Sequence, residues 1–298
     1  MSIRTTTEDF LFRTYRVLGR KLLAHSKNPR ASSLPFVTGD GFRELADHIF
    51  DDLAVTLNPA DIQVGDTVFV GDSLIQKFLE TIHPHIVGTY TLITHNGDAV
   101  VDQTVFERAR DKVTTWYGIN VIYSHPQIIP IPLGIENKHH FVCGIPAIFH
   151  WIRKQHTPKS NKIFYGFTIS TNPTERQAAF DVISKHSAAE TLTVWRNFLT
   201  YIIQLAKYKF VLSPPGSSTE GHRTWDTLYI GGVPIVKSSV TTEYFKSIGV
   251  PLLVVHEWNE MNDLTEETIE STYKEIMHQG NHQTLYFDYW KNLILNHD

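Results

Sequence analysis

The chain has 298 residues, 42% of them hydrophobic and 19% charged, enough for two ordinary domains with a core in each and too apolar for extended disorder. A formal net charge of -4 argues against a general nucleic-acid binder. One cysteine, Cys143, excludes an intramolecular disulfide framework and any zinc site with several thiolate ligands.

The charge is uneven along the chain. Residues 1–30 carry Arg4, Arg13, Arg16, Arg20, Lys21, Lys27 and Arg30 against Glu8 and Asp9. Residues 9–24 repeat at helical spacing, with Phe10, Leu11, Tyr15, Leu18, Leu22 and Leu23 toward one side and a basic face beside them. Two readings are open for this segment: a helix packed on the first domain, or a peripheral contact with an anionic membrane surface. No apolar run is long enough to cross a bilayer, and the N-terminus lacks a secretory pattern. The expected location is cytoplasmic.

Further on, short apolar runs alternate with amphipathic stretches. Thr67–Val70 reads as a strand, Gly71-Asp72-Ser73 as a turn and helix cap, and Leu74–Ile82 as a helix. Asp51-Asp52 reads as the polar face of a helix. Tyr90–Thr94 is a second strand, Val105–Trp116 a helix, Asn120–Tyr123 a strand, and Ile128–Leu133 an edge strand or loop because of Pro130 and Pro132. The pattern restarts after a polar stretch at 152–161. Lys162–Ile169 is a strand, Pro173–His186 a helix capped by Asn172, Trp195–Ala206 a helix and Lys209–Ser213 a strand. His222–Ile230 is a helix, and Val233–Val236 and Leu252–Val255 are strands. Residues 264–278 and 284–296 form closing helices. Alternation of this kind means parallel sheets covered by helices on both faces. The expected class is α/β, with two Rossmann-like doubly wound domains facing a cleft. The first covers residues 1–155 and the second 156–298, and the last helix is free to pack back on the first. In such sheets ligands bind at the carboxyl ends of the strands.

Phe210–Val236 is the segment richest in chemistry. A strand runs into Pro214-Pro215-Gly216, then small polar residues, then a helix opening at His222. Ser213 ends the strand, and Gly216 lets the backbone approach a ligand closely. Free N–H groups at the helix start favour an anion. Arg223 stands in that first turn, against the macrodipole preference for acids, which makes sense facing a phosphate. Glu220 and Asp226 are carboxylates placed to accept from ribose or sugar hydroxyls. An Arg223–Asp226 or Arg223–Glu220 surface pair fits the same spacing. In the second segment, Thr168, Ser170 and Asn172 supply donors at another helix start, with Arg176 one turn in. Two arginines and two helix N-termini would hold a diphosphate without metal. The chain has no Asp-x-Asp, so no metal is expected.

Pro214, Gly216, Arg223, Trp225, Asp226, Leu228, Gly231 and Pro234 resemble, in order and spacing, the nucleotide-sugar motif of exostosin-like glycosyltransferases. Thr94–Asp98, Trp116–Asn120, Ile131–Ile135 and Phe164–Arg176 also resemble members of this family. The resemblance spans roughly residues 90–255 and leaves 1–60 and about the last 30 unmatched. It implies a GT-B fold and an inverting, metal-independent transfer from a nucleotide sugar, UDP-linked by family habit, to a hydroxyl of a glycan acceptor. It places the acceptor on the N-terminal domain and the donor on the C-terminal one. Arg223 would neutralise the diphosphate leaving group, and His222 would be among the donor-binding residues. The runner-up is a non-catalytic nucleotide-sugar-binding subunit of a polysaccharide-assembly complex.

An inverting transfer needs a group to take the acceptor proton. Asp98, after the Tyr90–Thr94 strand, ranks first, with His95 as its orienting partner or as an alternative base. Asp98 also reads as a plain turn residue. Asp72 and Glu136 follow strands as well, but Asp72 before an apolar helix reads as an N-cap.

Overall fold

The computed structural model describes residues 13, 14, 16–22, 28–191 and 197–296. Among the described residues ten strands form two parallel sheets of five. The first contains β1 His48–Phe50, β2 Thr67–Gly71, β3 Tyr90–His95, β4 Val113–Gly118 and β5 Ile128–Pro130, in that order. The second contains β6 Ser160–Tyr165, β7 Ala189–Thr191, β8 Tyr208–Leu212, β9 Val233–Lys237 and β10 Leu253–Val255, in the order β10-β9-β8-β6-β7. Helices lie between most successive strands, as parallel crossovers usually require, with a 3-10 turn between β1 and β2 and the irregular stretch 119–127 between β4 and β5. The expected pair of parallel α/β sheets is therefore present; the second reverses its strand order between β6 and β8, as a doubly wound sheet does, whereas the first runs in chain order.

The strand sequences are apolar on both faces because both faces are covered. Val68 and Leu92 are register partners in one core, whereas Phe69 and Ile93, one residue on, join another. That second core is shared. Phe69, Ile93 and Tyr117 of the first sheet and Phe164, Val211 and Val236 of the second belong to one buried cluster. Helices Pro146–Lys154 and Phe198–Leu205 fill it, with Phe149 and Phe198 ring to ring at 5.9 Å. The final helix, Phe287–Leu295, returns to the first sheet's side. Phe287 meets Phe42 at 5.3 Å, and the Tyr117 hydroxyl donates to the Leu293 carbonyl at 3.2 Å.

Several local readings are corrected. Val113–Trp116 is strand, not helix; the preceding helix is only Gln103–Glu107. Val-Thr-Thr-Trp-Tyr is β-branched and aromatic, which suits a pleated surface. Asn120–Tyr123 is not a strand and keeps only one bridge, Val101 to Val121. Ile128–Pro130 is an edge strand, where a proline is tolerated. Asp51-Asp52 follows β1 instead of lying on a helix, and Asp51 accepts the N–H groups of Leu53 and Ala54. Strands β1 and β7, three residues each, and helix Val240–Ser247 were not anticipated. That helix carries a capping box of Ser239 and Thr242.

The described residues of the N-terminal segment, 13, 14 and 16–22, are helical, with Val17, Leu18 and Leu22 exposed. Its protein-facing side is the Gly19 backbone against Phe141 and Arg20, whose Nε donates to the His140 carbonyl at 2.8 Å. Phe10, Leu11, Tyr15 and Leu23 lie outside the described residues. Among the described residues no helix is long and apolar enough to cross a membrane.

Candidate active-site cleft

The carboxyl ends of both sheets open onto one cleft of about 550 Å³. One wall is the loop after β3, with His95, Asn96, Gly97 and Asp98; the opposite wall holds Arg176, Gly216, Ser218, Gly221 and His222. One loop reaches across. Residues 216–222 lean on the first half, where the Ser218 hydroxyl donates to Asp98 Oδ1 at 3.0 Å and the Thr219 N–H donates to Asn120 Oδ1 at 3.2 Å. His222 Nδ1 donates to the Gly134 carbonyl at 2.8 Å. Gly134 itself has φ of 69°, and a Cβ there would stand 2.1 Å from the Val37 carbonyl oxygen, so only glycine fits.

Arg176 is the cation of the far wall. Its Nε donates to the Pro215 carbonyl and its Nη1 to the Thr168 carbonyl, both at 2.9 Å. Nη2 points at Gly216, where a Cβ would approach within 2.9 Å. Asn172 caps helix Pro173–Ile183 through Oδ1 and donates Nδ2 to the Gly216 carbonyl at 3.0 Å. Thr168 and Asn172 therefore hold the arginine and the glycine loop in place, while Ser170 is exposed and off the cleft wall. Burial, and then the neighbouring Arg223 charge, push the Arg176 guanidinium below its ordinary value. No carboxylate among the described residues pairs with it. Beside it, helix His222–Tyr229 begins with no side-chain cap and no acid in its first turn. A guanidinium with no counter-ion next to an open helix start is a place for an anion.

Arg223 and Asp226 are not in the cleft wall. Arg223 lies with its guanidinium 5.7 Å from the Tyr201 ring centre, and its Nη1 is buried without a partner. Asp226 is buried on the inner side of the helix and bonded to Tyr201, with Oδ1 unpartnered. Burial pushes its carboxyl up to about 8. The reading of Asp226 facing a ribose is corrected, because its side chain is enclosed against Tyr201, the ring that Arg223 also covers. Glu220 does reach the cleft, but both oxygens are committed. One accepts the Leu133 N–H and the other the Trp225 indole N–H at 2.9 Å. Burial pushes it up to about 7. It ties the two halves together instead of offering a free carboxylate. Replacing Glu220 by alanine is expected to cost ~2–4 kcal/mol in denaturant unfolding, since two buried donors would lose their acceptor. Ser213 is buried, its hydroxyl 2.9 Å from that of Thr224, and it plays a packing part.

On the near wall, Asp98 is exposed and reachable. His95 is buried, and both of its nitrogens are engaged. Nδ1 accepts the Asn96 N–H at 2.7 Å, so Nε2 donates to the Pro132 carbonyl at 3.1 Å. Burial pushes it down to about 4, so it is neutral and has no free lone pair for a substrate proton. It orients the loop, and its role as an alternative base is not favoured. Asp72 is not a cap either. Its side chain is buried under the loop, with one oxygen taking the Ala99 N–H and Oδ2 unpartnered.

Sequence reasoning missed the end wall. Asp40, buried at the start of helix Gly39–Leu45, accepts from Arg30 Nε at 2.8 Å and His139 Nδ1 at 2.8 Å. Asn137 donates Nδ2 to Asn96 Oδ1 at 2.7 Å and accepts the Asp40 N–H at 2.9 Å. Arg30, Asn96, Asn137, His139 and His140 all line the cleft. Nothing in their spacing along the chain joins them, since the network links residues up to 99 positions apart. Asn96, with φ of 65°, was the one local signal. Among the described residues no three His, Cys, Asp or Glu side chains gather as a metal-binding group.

No protein-family model and no curated protein matches the chain. Solved structures do match in overall course. A UDP-forming α,α-trehalose-phosphate synthase from Burkholderia vietnamiensis aligns with a TM-score of 0.46 and 8% identity, over 80% of this chain and 75% of that one. A UDP-forming synthase of the same kind from Burkholderia xenovorans gives 0.45 and 10%, over 80% and 74%. TarM gives 0.35 and 13%, over 76% and 54%. The likeness to exostosin-like transferases is thus carried by the residues quoted above.

Proposed function

We propose that this chain is an inverting glycosyltransferase that moves a sugar from a nucleotide-sugar donor, UDP-linked, to a hydroxyl of a glycan acceptor. The observation that carries the reading is the cleft itself, with an unpaired arginine and an open helix start on one wall and an exposed carboxylate facing them. In this reading residues 1–155 hold the acceptor and 156–298 the donor. The acceptor hydroxyl gives its proton to Asp98 as its oxygen attacks the anomeric carbon. The bond from that carbon to the diphosphate breaks, and the diphosphate leaves with the electron pair. Arg176 and the N–H groups at Gly221–Arg223 stabilise the charge that develops there. Arg223 adds its charge from behind. No step asks for a metal.

The test is thermal stability against UDP, GDP, CMP and dTDP and their common sugars, with and without EDTA. A ligand at 100 times its Kd adds about 2.7 kcal/mol, a shift of degrees. One nucleotide is expected to raise the midpoint selectively and independently of EDTA. No shift with any of them overturns the donor reading. The basic segment 9–24 belongs to the same proposal as a peripheral contact, checked by co-sedimentation with anionic against neutral vesicles.

A further inference from the structure

Asp72 is a buried acid beneath the cleft wall that the transfer does not use. Its neighbours in sequence, Gly71 and Ser73, line the cleft, and so do Gly97 and Asp98 above it. The chain runs so close that a Cβ on Gly97 would stand 2.6 Å from the Asp72 Cβ. One carboxyl oxygen takes the Ala99 N–H, and the other, Oδ2, is buried with no partner among the described residues. The residue is 2% exposed. An ionised carboxylate in that position would be an uncompensated buried charge next to a second one.

We propose that Asp72 is a positioning residue for Asp98: a neutral acid packed beneath the Gly97–Asp98 turn, it leaves Asp98 as the sole charge of the pair and so holds that carboxylate across the cleft on Ser218. The inference rests on the reading of Asp98 as the base. Two carboxylates in contact share one proton when repulsion exceeds what solvent screens. Here the asymmetry of the surroundings decides which keeps it. Asp98 is exposed and has a hydroxyl donor, whereas Asp72 is enclosed. Burial first, and then the Asp98 charge, push Asp72 up to about 8. The other charged or titratable groups around the pair do not neutralise Asp72. Asp51, whose Cβ lies behind Gly71, is held by Arg43. His222 across the cleft feels the charge of Asp98, but burial pushes it down, toward the neutral form. Once Asp72 ionises, repulsion pushes Asp98 off Ser218.

The first measurement is the thermal midpoint against pH for wild type and Asp72→Asn. Asp72 keeps its proton in the folded chain up to about pH 8 and loses it near 3.8 when unfolded. The folded state therefore binds more protons in that window, and stability falls as pH rises through it. Wild type is expected to lose stability relative to Asp72→Asn from about pH 4 to about pH 8; a constant difference overturns the proposal. An infrared titration of the protonated carboxyl band in wild type and Asp98→Asn needs no change at Asp72. Removing the neighbouring charge is expected to shift one carboxyl to lower pH, and superimposable titrations overturn the pairing. In transfer assays the alkaline limb of the pH profile is expected to move upward in Asp72→Asn, whereas a purely structural role would scale the whole profile. If no transfer is found at all, the glycosyltransferase reading has failed, and the two titrations still decide the assignment of Asp72.

Discussion

Replacing Arg176 by alanine is expected to weaken UDP binding about 100-fold, equivalent to about 2.7 kcal/mol. A hydrogen bond to a charged group is worth about 1.5–3 kcal/mol, and a guanidinium on a diphosphate forms such bonds in a buried setting. The geometry makes Arg176 the stronger choice over Arg223. Two of its nitrogens are pinned on the Pro215 and Thr168 carbonyls, which fixes the fork and leaves Nη2 against the Gly216 backbone. The ordering of that side chain is therefore complete before a ligand arrives. Arg176→Lys is expected to fall between wild type and alanine, because an ammonium keeps the charge but not the fork. Arg223→Ala is expected to cost less. Its guanidinium lies over Tyr201, off the cleft wall, and reaches an anion only through its field. Calorimetric titration with UDP separates these variants, and a larger loss in Arg223→Ala than in Arg176→Ala would move the anion to the Tyr201 side.

The sheets were legible because buried parallel strands are continuous apolar runs, and Thr67–Val70, Tyr90–Thr94 and Lys209–Ser213 stand out against polar surroundings. The short edge strands β1 and β7 were not legible, since three residues with one exposed side carry no periodic signal. Val113–Trp116 misled because the turn before it, Arg108–Lys112, is made of residues common in helices and extends the helical pattern past the end of the helix at Glu107. The far wall of the cleft was read as a set of residues from its Pro-Pro-Gly turn and helix starts, but not by orientation. Arg223 and Arg176 look alike in sequence, and only the packing of Tyr201 and the carbonyls of Pro215 and Thr168 tells them apart. The carboxylates show the same limit. Glu220 and Asp226 were read as ligands of a sugar, and the fold uses one as a tie to Leu133 and Trp225 and buries the other. A chain position fixes which loop a residue is on, whereas its neighbours from other loops fix what its charge is for.

Asp98→Asn is expected to reduce transfer by about 10²–10⁴-fold while UDP still binds, because general-base catalysis contributes on that scale. Asp98 is the one acid of the near wall that is both exposed and free of a cationic partner among the described residues. His95 has no lone pair to offer, with the Asn96 N–H on Nδ1 and the Nε2 proton on Pro132. Asp72 is enclosed, and Glu136 is drawn off to the Cys143 N–H at 2.7 Å. An asparagine keeps the size of Asp98, and its amide oxygen still accepts the Ser218 hydroxyl, more weakly than a carboxylate does, so the bridge across the cleft is kept in kind while the proton acceptor is lost. Losing kcat without losing UDP affinity is the signature of a group that acts in the transition state alone. The same variant separates catalysis from simple binding. A subunit that only holds a nucleotide sugar would show no transfer in wild type and the same UDP affinity in both proteins. A fully active Asp98→Asn enzyme would take the proton acceptor away from this wall, leaving the acceptor hydroxyl to be deprotonated by a group on the donor side.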